Sequence, residues 1–267
     1  MLMNETFIST SIHQREGDWS MADLHSHEYY ELYFLCKGKR HLLFEDKIAE
    51  LEEGSLAVIA PFTMHKTEGG TFTRINLCIS ASAVSQCAGE MLASLSACSY
   101  LVLEKKDFAI VHELLEELLL LENSAQRSAT DNKRILAEYL LYYIHRHALQ
   151  RDGMLVQSEG KMPPTLLNIL RFVNTHFHEK ITLGTLSRRF FLSEVTICSY
   201  FKQYLGLTFG EYICALRIAK AKELLITTKK SMDEIAVALG LGSANYFGLF
   251  FKKHVGMSPL KFRKDPH

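Results

Sequence analysis

Two ten-residue stretches, fifty positions apart, carry one pattern. Ser193–Lys202 (SEVTICSYFK) lines up with Ser243–Lys252 (SANYFGLFFK), and Gly206-Leu-Thr208 lines up with Gly256-Met-Ser258. Upstream, Leu186-Ser187 matches Ile235-Ala236, with one residue inserted near Gly240-Leu-Gly242. A repeat of this period is one supersecondary unit used twice. Each copy reads as helix, tight turn, helix. In the second, Ser231 caps a helix carrying Ile235, Ala236 and Leu239; Gly240 supplies the positive-φ turn; Ser243 caps a helix whose Phe247, Phe250 and Phe251 face inward. In the first, Ser193 caps while Ile197, Tyr200 and Phe201 pack. Between the copies, Tyr212, Leu216, Ala219 and Leu224 fall at core spacing, which predicts one joining helix from about Phe209 to Thr227.

This arrangement suits a duplex. A helix fits the major groove, and the second helix of each unit presents its N-terminal residues to base edges. The residues left on the outer faces are Ser193, Val195, Thr196, Cys198 and Ser199, and then Ser243, Ala244, Asn245, Gly248 and Leu249. Thr196, Ser199 and Asn245 are polar readers, and Val195, Ala244 and Leu249 suit thymine methyls. Lys202, Arg217, Lys222, Lys252 and Lys253 are candidates for phosphates. The charge distribution points the same way. Residues 164–267 hold 15 Lys and Arg against 7 Asp and Glu, residues 1–163 hold 15 against 23, and the whole chain balances to zero. A basic half fits a polyanionic partner such as double-stranded DNA. A helical bundle with no nucleic-acid role is the plain alternative.

These residues resemble the AraC/XylS family of bacterial regulators. Ala215-Leu-Arg-Ile-Ala-Lys-Ala-Lys-Glu-Leu-Leu225 is similar to that family's connecting helix. Ser231-Met-Asp-Glu-Ile-Ala236, the run from Gly240 to Pro259, and Phe262-Arg263 are similar to its signature. The chain departs from the pattern at Leu241, where the family usually has Phe, at Gly248-Leu249, where Ser-Arg is common, and at Cys198-Ser199, where a polar-basic pair is common. The resemblance implies sequence-specific DNA binding and transcriptional control, with an activator working through RNA polymerase as the pattern to expect.

The first half reads differently. Glu31–Cys36, Leu42–Phe44, Leu56–Ala60 and Phe72–Ile79 are short apolar runs separated by turn signals at Lys37-Gly38-Lys39, Glu45-Asp46-Lys47, Glu53-Gly54 and Gly69-Gly70, as in a small all-β sandwich or barrel. Two amphipathic helices follow. Asp107 is placed to cap one carrying Val111, Leu114, Leu115, Leu118 and Leu119, and Thr130 or Asp131 starts another carrying Ile135, Leu136, Tyr139, Leu140, Tyr143 and Ile144. They either cover the barrel or pair two subunits. The stretch 151–164 is polar, with two Gly and two Pro, and reads as a linker. The expected organisation is a barrel over 1–103, a helical dimerisation or cover segment over 104–150, the linker over 151–164, and an all-α DNA-binding domain over 165–267.

His25-Ser-His27-Glu-Tyr-Tyr-Glu31 is the densest polar cluster of the first half. With period two, His25, His27, Tyr29, Glu31 and Tyr33 share one face of an extended strand, and His65 follows a further strand. Imidazoles and a carboxylate suit a divalent metal (Zn, Ni, Fe or Mn). Three readings stand: a metal on His25, His27, Glu31 and His65 that helps hold an effector, a metal-free pocket hydrogen-bonding a small polyol, and histidines held by packing alone. Trp19 could stack on a sugar face. Arg15, Arg40, His41 and Arg74 are further donors whose place the sequence does not set. The spacing H-x-H-x-x-x-E-x-x-x-x-x-x-G resembles the first cupin motif, and Gly54 through Pro61 to His65 resembles the second, without its later Gly and Asn. This resemblance implies a sensor barrel for a small effector, often a carbohydrate. A metal-dependent cupin enzyme and an effector-independent DNA-binding protein are the competing functions. No apolar run reaches the roughly 18 residues of a membrane span, and no signal peptide is evident, so a cytoplasmic chain is expected. The six cysteines, without a C-x-x-C pair, read as reduced and buried.

Overall fold

The computed structural model describes residues 7–17, 24–44, 47–97, 100–122, 124, 129–148 and 162–264. Trp19 and residues 151–161 of the expected linker lie outside them. Eight strands come first: β1 Ile8–Arg15, β2 Tyr30–Gly38, β3 Arg40–Phe44, β4 Lys47–Leu51, β5 Ser55–Ile59, β6 His65–Glu68, β7 Phe72–Ile79 and β8 Leu101–Val102. They form a five-stranded sheet, in the order β1-β7-β2-β5-β8, facing a three-stranded sheet, β4-β3-β6. The barrel is therefore cupin-like but not closed. Gly38 makes the tight passage from β2 to β3: its φ is +97°, and a Cβ there would run into the Thr71 carbonyl.

Strand alternation divides the core. Leu32 and Phe34 of β2, with Ile75, Leu77 and Ile79 of β7, face the helices α1 (Gln86–Ala97), α2 (Lys105–Glu122) and α3 (Ala129–Ala148). Tyr33 and Leu35 face the barrel interior with Leu42, Ala49, Leu51, Ala57, Ile59 and Phe72. α2 starts at Lys105, so Asp107 is not its cap. Asp107 is buried in the first turn and accepts a hydrogen bond from the Tyr143 hydroxyl (2.8 Å), which ties α2 to α3. α1 adds to the expected elements, with Ala88, Met91, Leu92 and Leu95 at helical spacing on its inward face.

After residue 162 every element is helical: α4 Pro164–His176, α5 Leu183–Phe190, α6 Glu194–Tyr200, α7 Phe209–Thr227, α8 Met232–Ala238, α9 Ala244–Val255 and α10 Pro259–Lys264. α7 has the bounds expected from sequence and begins with a capping box between Thr208 and Glu211. It joins two separate cores. Leu186, Ile197, Phe201, Leu205 and Tyr212 belong to the first, and Leu224, Ile235, Leu239, Phe247, Phe251 and Phe262 to the second. Phe250 is only half-buried, against the expectation that it faces inward.

Barrel and helical domain are in contact. Leu24, Leu43 and Met64 join the first helical core. The Leu24 amide donates to the Leu205 carbonyl (3.4 Å) and Lys66 Nζ to the Tyr204 carbonyl (3.2 Å). Lys222 Nζ lies 2.7 Å from Glu28 Oε1. A cavity of about 310 Å³ remains at this junction, between Phe62 and Met64 on one side and Asn174, Leu216 and Ala219 on the other. Among the described residues, no helix is long and apolar enough to cross a membrane. The described cysteines form no disulfide, but Cys87 and Cys198 are exposed rather than buried.

Candidate nucleic-acid interface and sensor site

The two units are built alike at the caps. The Ser193 hydroxyl accepts from the Thr196 amide (3.0 Å), and the Ser243 hydroxyl from the Tyr246 amide (3.3 Å). Ser231 and Glu234 form a second capping box at the start of α8. Asp233, a contact the sequence did not suggest, accepts from the Ala244 amide (3.2 Å) and so fixes α9 against α8. These caps leave Val195 and Leu249 79% and 65% exposed on the two second helices. Cys198, Ser199, Asn245, Lys202, Lys252 and Lys253 are exposed beside them, and Thr196, Ala244 and Gly248 half-buried. Tyr246 is exposed on α9 as well, although the Phe-rich pattern hid it. Lys202 Nζ donates to the Gly206 carbonyl (3.1 Å). The 19 residues of α7 span about 28 Å at 1.5 Å per residue, against roughly 34 Å between successive turns of one groove.

Two expected phosphate contacts are committed elsewhere. The Arg217 guanidinium donates twice to the Phe177 carbonyl (3.0 and 2.7 Å) and once to that of Glu179 (3.1 Å). It holds the α4–α5 loop onto α7. The turn of the second unit sits on the same loop: Gly240 has φ +68°, and a Cβ there would come within 1.8 Å of the His178 carbonyl oxygen. Lys222 is drawn to Glu28, as above, because that carboxylate is mostly shielded from water and needs a counter-charge.

In the barrel, β2 begins only at Tyr30, so the expected strand from His25 to Tyr33 is broken by a turn at Glu28-Tyr29. The turn still brings His27 back over Glu31. His27, Glu31 and His65 offer ligand atoms within 4.8 Å of one another. His25 is not in that set; its backbone pairs with His65, and the two rings lie 4.3 Å apart. Each ring of the set has a fixed orientation. His27 Nδ1 faces the Tyr29 carbonyl oxygen (2.8 Å) and His65 Nδ1 that of Thr63 (2.9 Å). A carbonyl only accepts, so Nδ1 carries the hydrogen in both rings. The two Nε2 atoms then converge on one oxygen, Glu31 Oε2, at 2.9 and 3.5 Å. Neutral rings would aim lone pairs at a carboxylate. Two imidazolium rings, or a cation among the three groups, satisfy the geometry. Burial alone would raise the Glu31 carboxyl, but the hydrogen bonds and charge of His27 and His65 outweigh it and hold its pKa well below the usual carboxylate range. Tyr33 is fully buried two residues on, facing the interior.

Residues 186–265 match the family model described as a helix-turn-helix domain. The transcriptional activator RhaS of an Enterobacter species is 24% identical over 90% of this chain and 87% of its own length. The bifunctional transcriptional activator and DNA repair enzyme AdaA of Bacillus subtilis is 36% identical over 36% of this chain and 46% of its own. Other RhaS proteins it matches are spanned over about half their length. Among solved structures, the DNA-binding domain of AdpA, a global transcriptional factor in complex with a target DNA, is 27% identical, covers 38% of this chain and 90% of its own, and superposes with a TM-score of 0.36.

Proposed function

We propose that this chain, a member of the AraC/XylS family of helix-turn-helix regulators, binds double-stranded DNA through α6 and α9 and changes transcription in response to a small molecule held in its barrel. The observation that carries the reading is the pair of capped second helices, each with an exposed outer face, mounted on a single connecting helix within a matched helix-turn-helix domain. On this reading Ser193, Val195, Thr196, Cys198 and Ser199, with Ser243, Ala244, Asn245, Gly248 and Leu249, face the bases, and Lys202 and Lys252 the phosphates. The barrel serves as a sensor and not as an active site. RNA polymerase is the further partner, and α2 and α3 pair two copies into a homodimer. The test is titration of the full-length protein with duplex DNA at low ionic strength, using a specific site selected from random sequence. Asn245→Ala should weaken the specific site by about 1–3 kcal/mol and leave random DNA nearly unchanged. A folded protein that ignores every duplex overturns the reading, and equal losses on both DNAs remove Asn245 as a base reader.

The rigid triad favours a second element. We infer that His27, Glu31 and His65 hold a divalent metal, zinc fitting the nitrogen and oxygen donors. Their immediate neighbours carry the domain contact: Glu28 reaches Lys222, and Lys66 reaches the Tyr204 carbonyl. Occupancy of the barrel is thereby linked to how the helical domain is held, and it shifts that equilibrium by its differential affinity for the two arrangements. Metal analysis decides this: about one equivalent is expected in the wild type and none in His65→Ala, with DNA affinity responding to zinc only in the former. Metal-free wild-type protein from zinc-supplemented cells removes the metal from the account.

A further inference from the structure

We propose that the phenyl ring of Phe191, in the turn between α5 and α6, packs against the sugars of the DNA strand that borders the groove entered by α6. The inference rests on the duplex-binding reading and adds to it a contact made by the turn of the first unit.

Phe191 is unfavourable to the folded chain on two counts. It ends α5 in the left-handed region, with φ of +55°, where a side chain crowds the backbone and glycine does not. Its ring is 92% exposed, more than any other large apolar residue described. Its chain neighbours do the opposite: Phe190 and Leu192 pack against the first helical core. A single exposed apolar side chain is ordinary, and so is a glycine in such a turn, as Gly240 is in the second unit. A strained backbone that serves only to hold a ring in water points to a partner outside the chain.

The fold identifies that partner. In a helix-turn-helix unit the first helix crosses the DNA backbone and the N-terminus of the second enters the major groove. The turn joining them therefore lies over the strand at the edge of the groove. Phe191 stands two residues before the Ser193 cap, at most about 7 Å of chain, and four before Val195, which is 79% exposed on the reading face. The surroundings are basic. Arg188 and Arg189 are exposed in the last turn of α5. Glu194 is the only acidic residue between positions 183 and 205. Its carboxylate sits at the other end of α5, where a Cβ on Gly184 would lie 3.3 Å from Glu194 Oε1. Such a rim attracts phosphates, and between the phosphates the strand exposes deoxyribose, whose carbon atoms suit a phenyl ring. A protein partner would call for a broader apolar patch than Phe191 and Val195, set among arginines, provide.

The test is titration of the full-length wild type, Phe191→Gly, Phe191→Asn and Phe191→Tyr with a selected duplex and a random one across a salt series. Glycine and asparagine both accept the left-handed backbone, so Phe191→Gly and Phe191→Asn should melt no lower than the wild type. Sugars carry no sequence information, and a phenyl ring carries no charge. Each of these two variants loses the half-burial of the ring and should bind both duplexes about three- to tenfold more weakly, with the salt slope unchanged. Phe191→Tyr keeps the ring and should bind as the wild type does. The proposal is overturned if either Phe191→Gly or Phe191→Asn binds the random duplex as tightly as the wild type, or if the loss is confined to the selected duplex. It is overturned equally if the salt slope falls with the affinity, or if Phe191→Tyr loses as much as the other two. A wild type that binds neither duplex is instead the failure of the regulator reading.

Discussion

Phe191 and Gly240 hold the same place in the two copies, the left-handed residue that ends the first helix of each unit, with φ of +55° and +68°. They reach it under opposite constraints. Phe191 is 92% exposed with its side chain in solvent, so its Cβ bears the usual strain of that backbone region with nothing to offset it. Gly240 lies against the His178 carbonyl and has no room for a Cβ. Phe191→Gly should therefore stabilise the chain by about 0.5–1 kcal/mol. Gly240→Ala should cost on the order of 3 kcal/mol or more, since both strain and collision oppose it. Chemical denaturation checks the pair, and an unchanged midpoint for Gly240→Ala would contradict the close approach. The glycine's role was legible in the sequence because only glycine takes that φ freely. Arg217 was not, because a basic residue on a helix looks the same whether it meets a phosphate or a carbonyl.

Among the elements, α7 and the caps around it were readable to the residue. Ser231, Ser193 and Ser243 use local hydrogen bonds that do not depend on the rest of the fold. The edge strands β1, β4 and β6 were not, because polar residues such as Thr10, Lys47 and Lys66 interrupt the apolar alternation. α3 has an outer stripe that its own fold leaves uncovered. Ala137, Leu140, Leu141 and Ile144 are buried against the barrel, whereas Ile135, Tyr139 and Tyr142, spaced four and three residues apart, are exposed. Such a stripe is the face a partner helix would cover. Tyr139→Glu should shift a dimer to monomer in sedimentation equilibrium, and a wild type that sediments as a monomer at tens of micromolar would set that role aside.

At the scale of the molecule, the sequence placed the candidate ligands His27, Glu31 and His65 through their spacing. It could not show that Arg40 and Arg74, from different sheets, both lie against the Phe72 ring, nor that Glu28 and Lys222, 194 residues apart, form a bridge. Long-range partners depend on how domains dock, which local periodicity does not encode. The same holds for the segment Phe177–Glu179, whose carbonyls receive Arg217 from the connecting helix and the Gly240 turn from the second unit. The two reading heads consequently share a keystone. A chimera that imports the second head from a relative has to bring a matching 177–179 segment with it, and diversification of the binding site would proceed by changing outer-face residues such as Leu249 in place rather than by exchanging whole units.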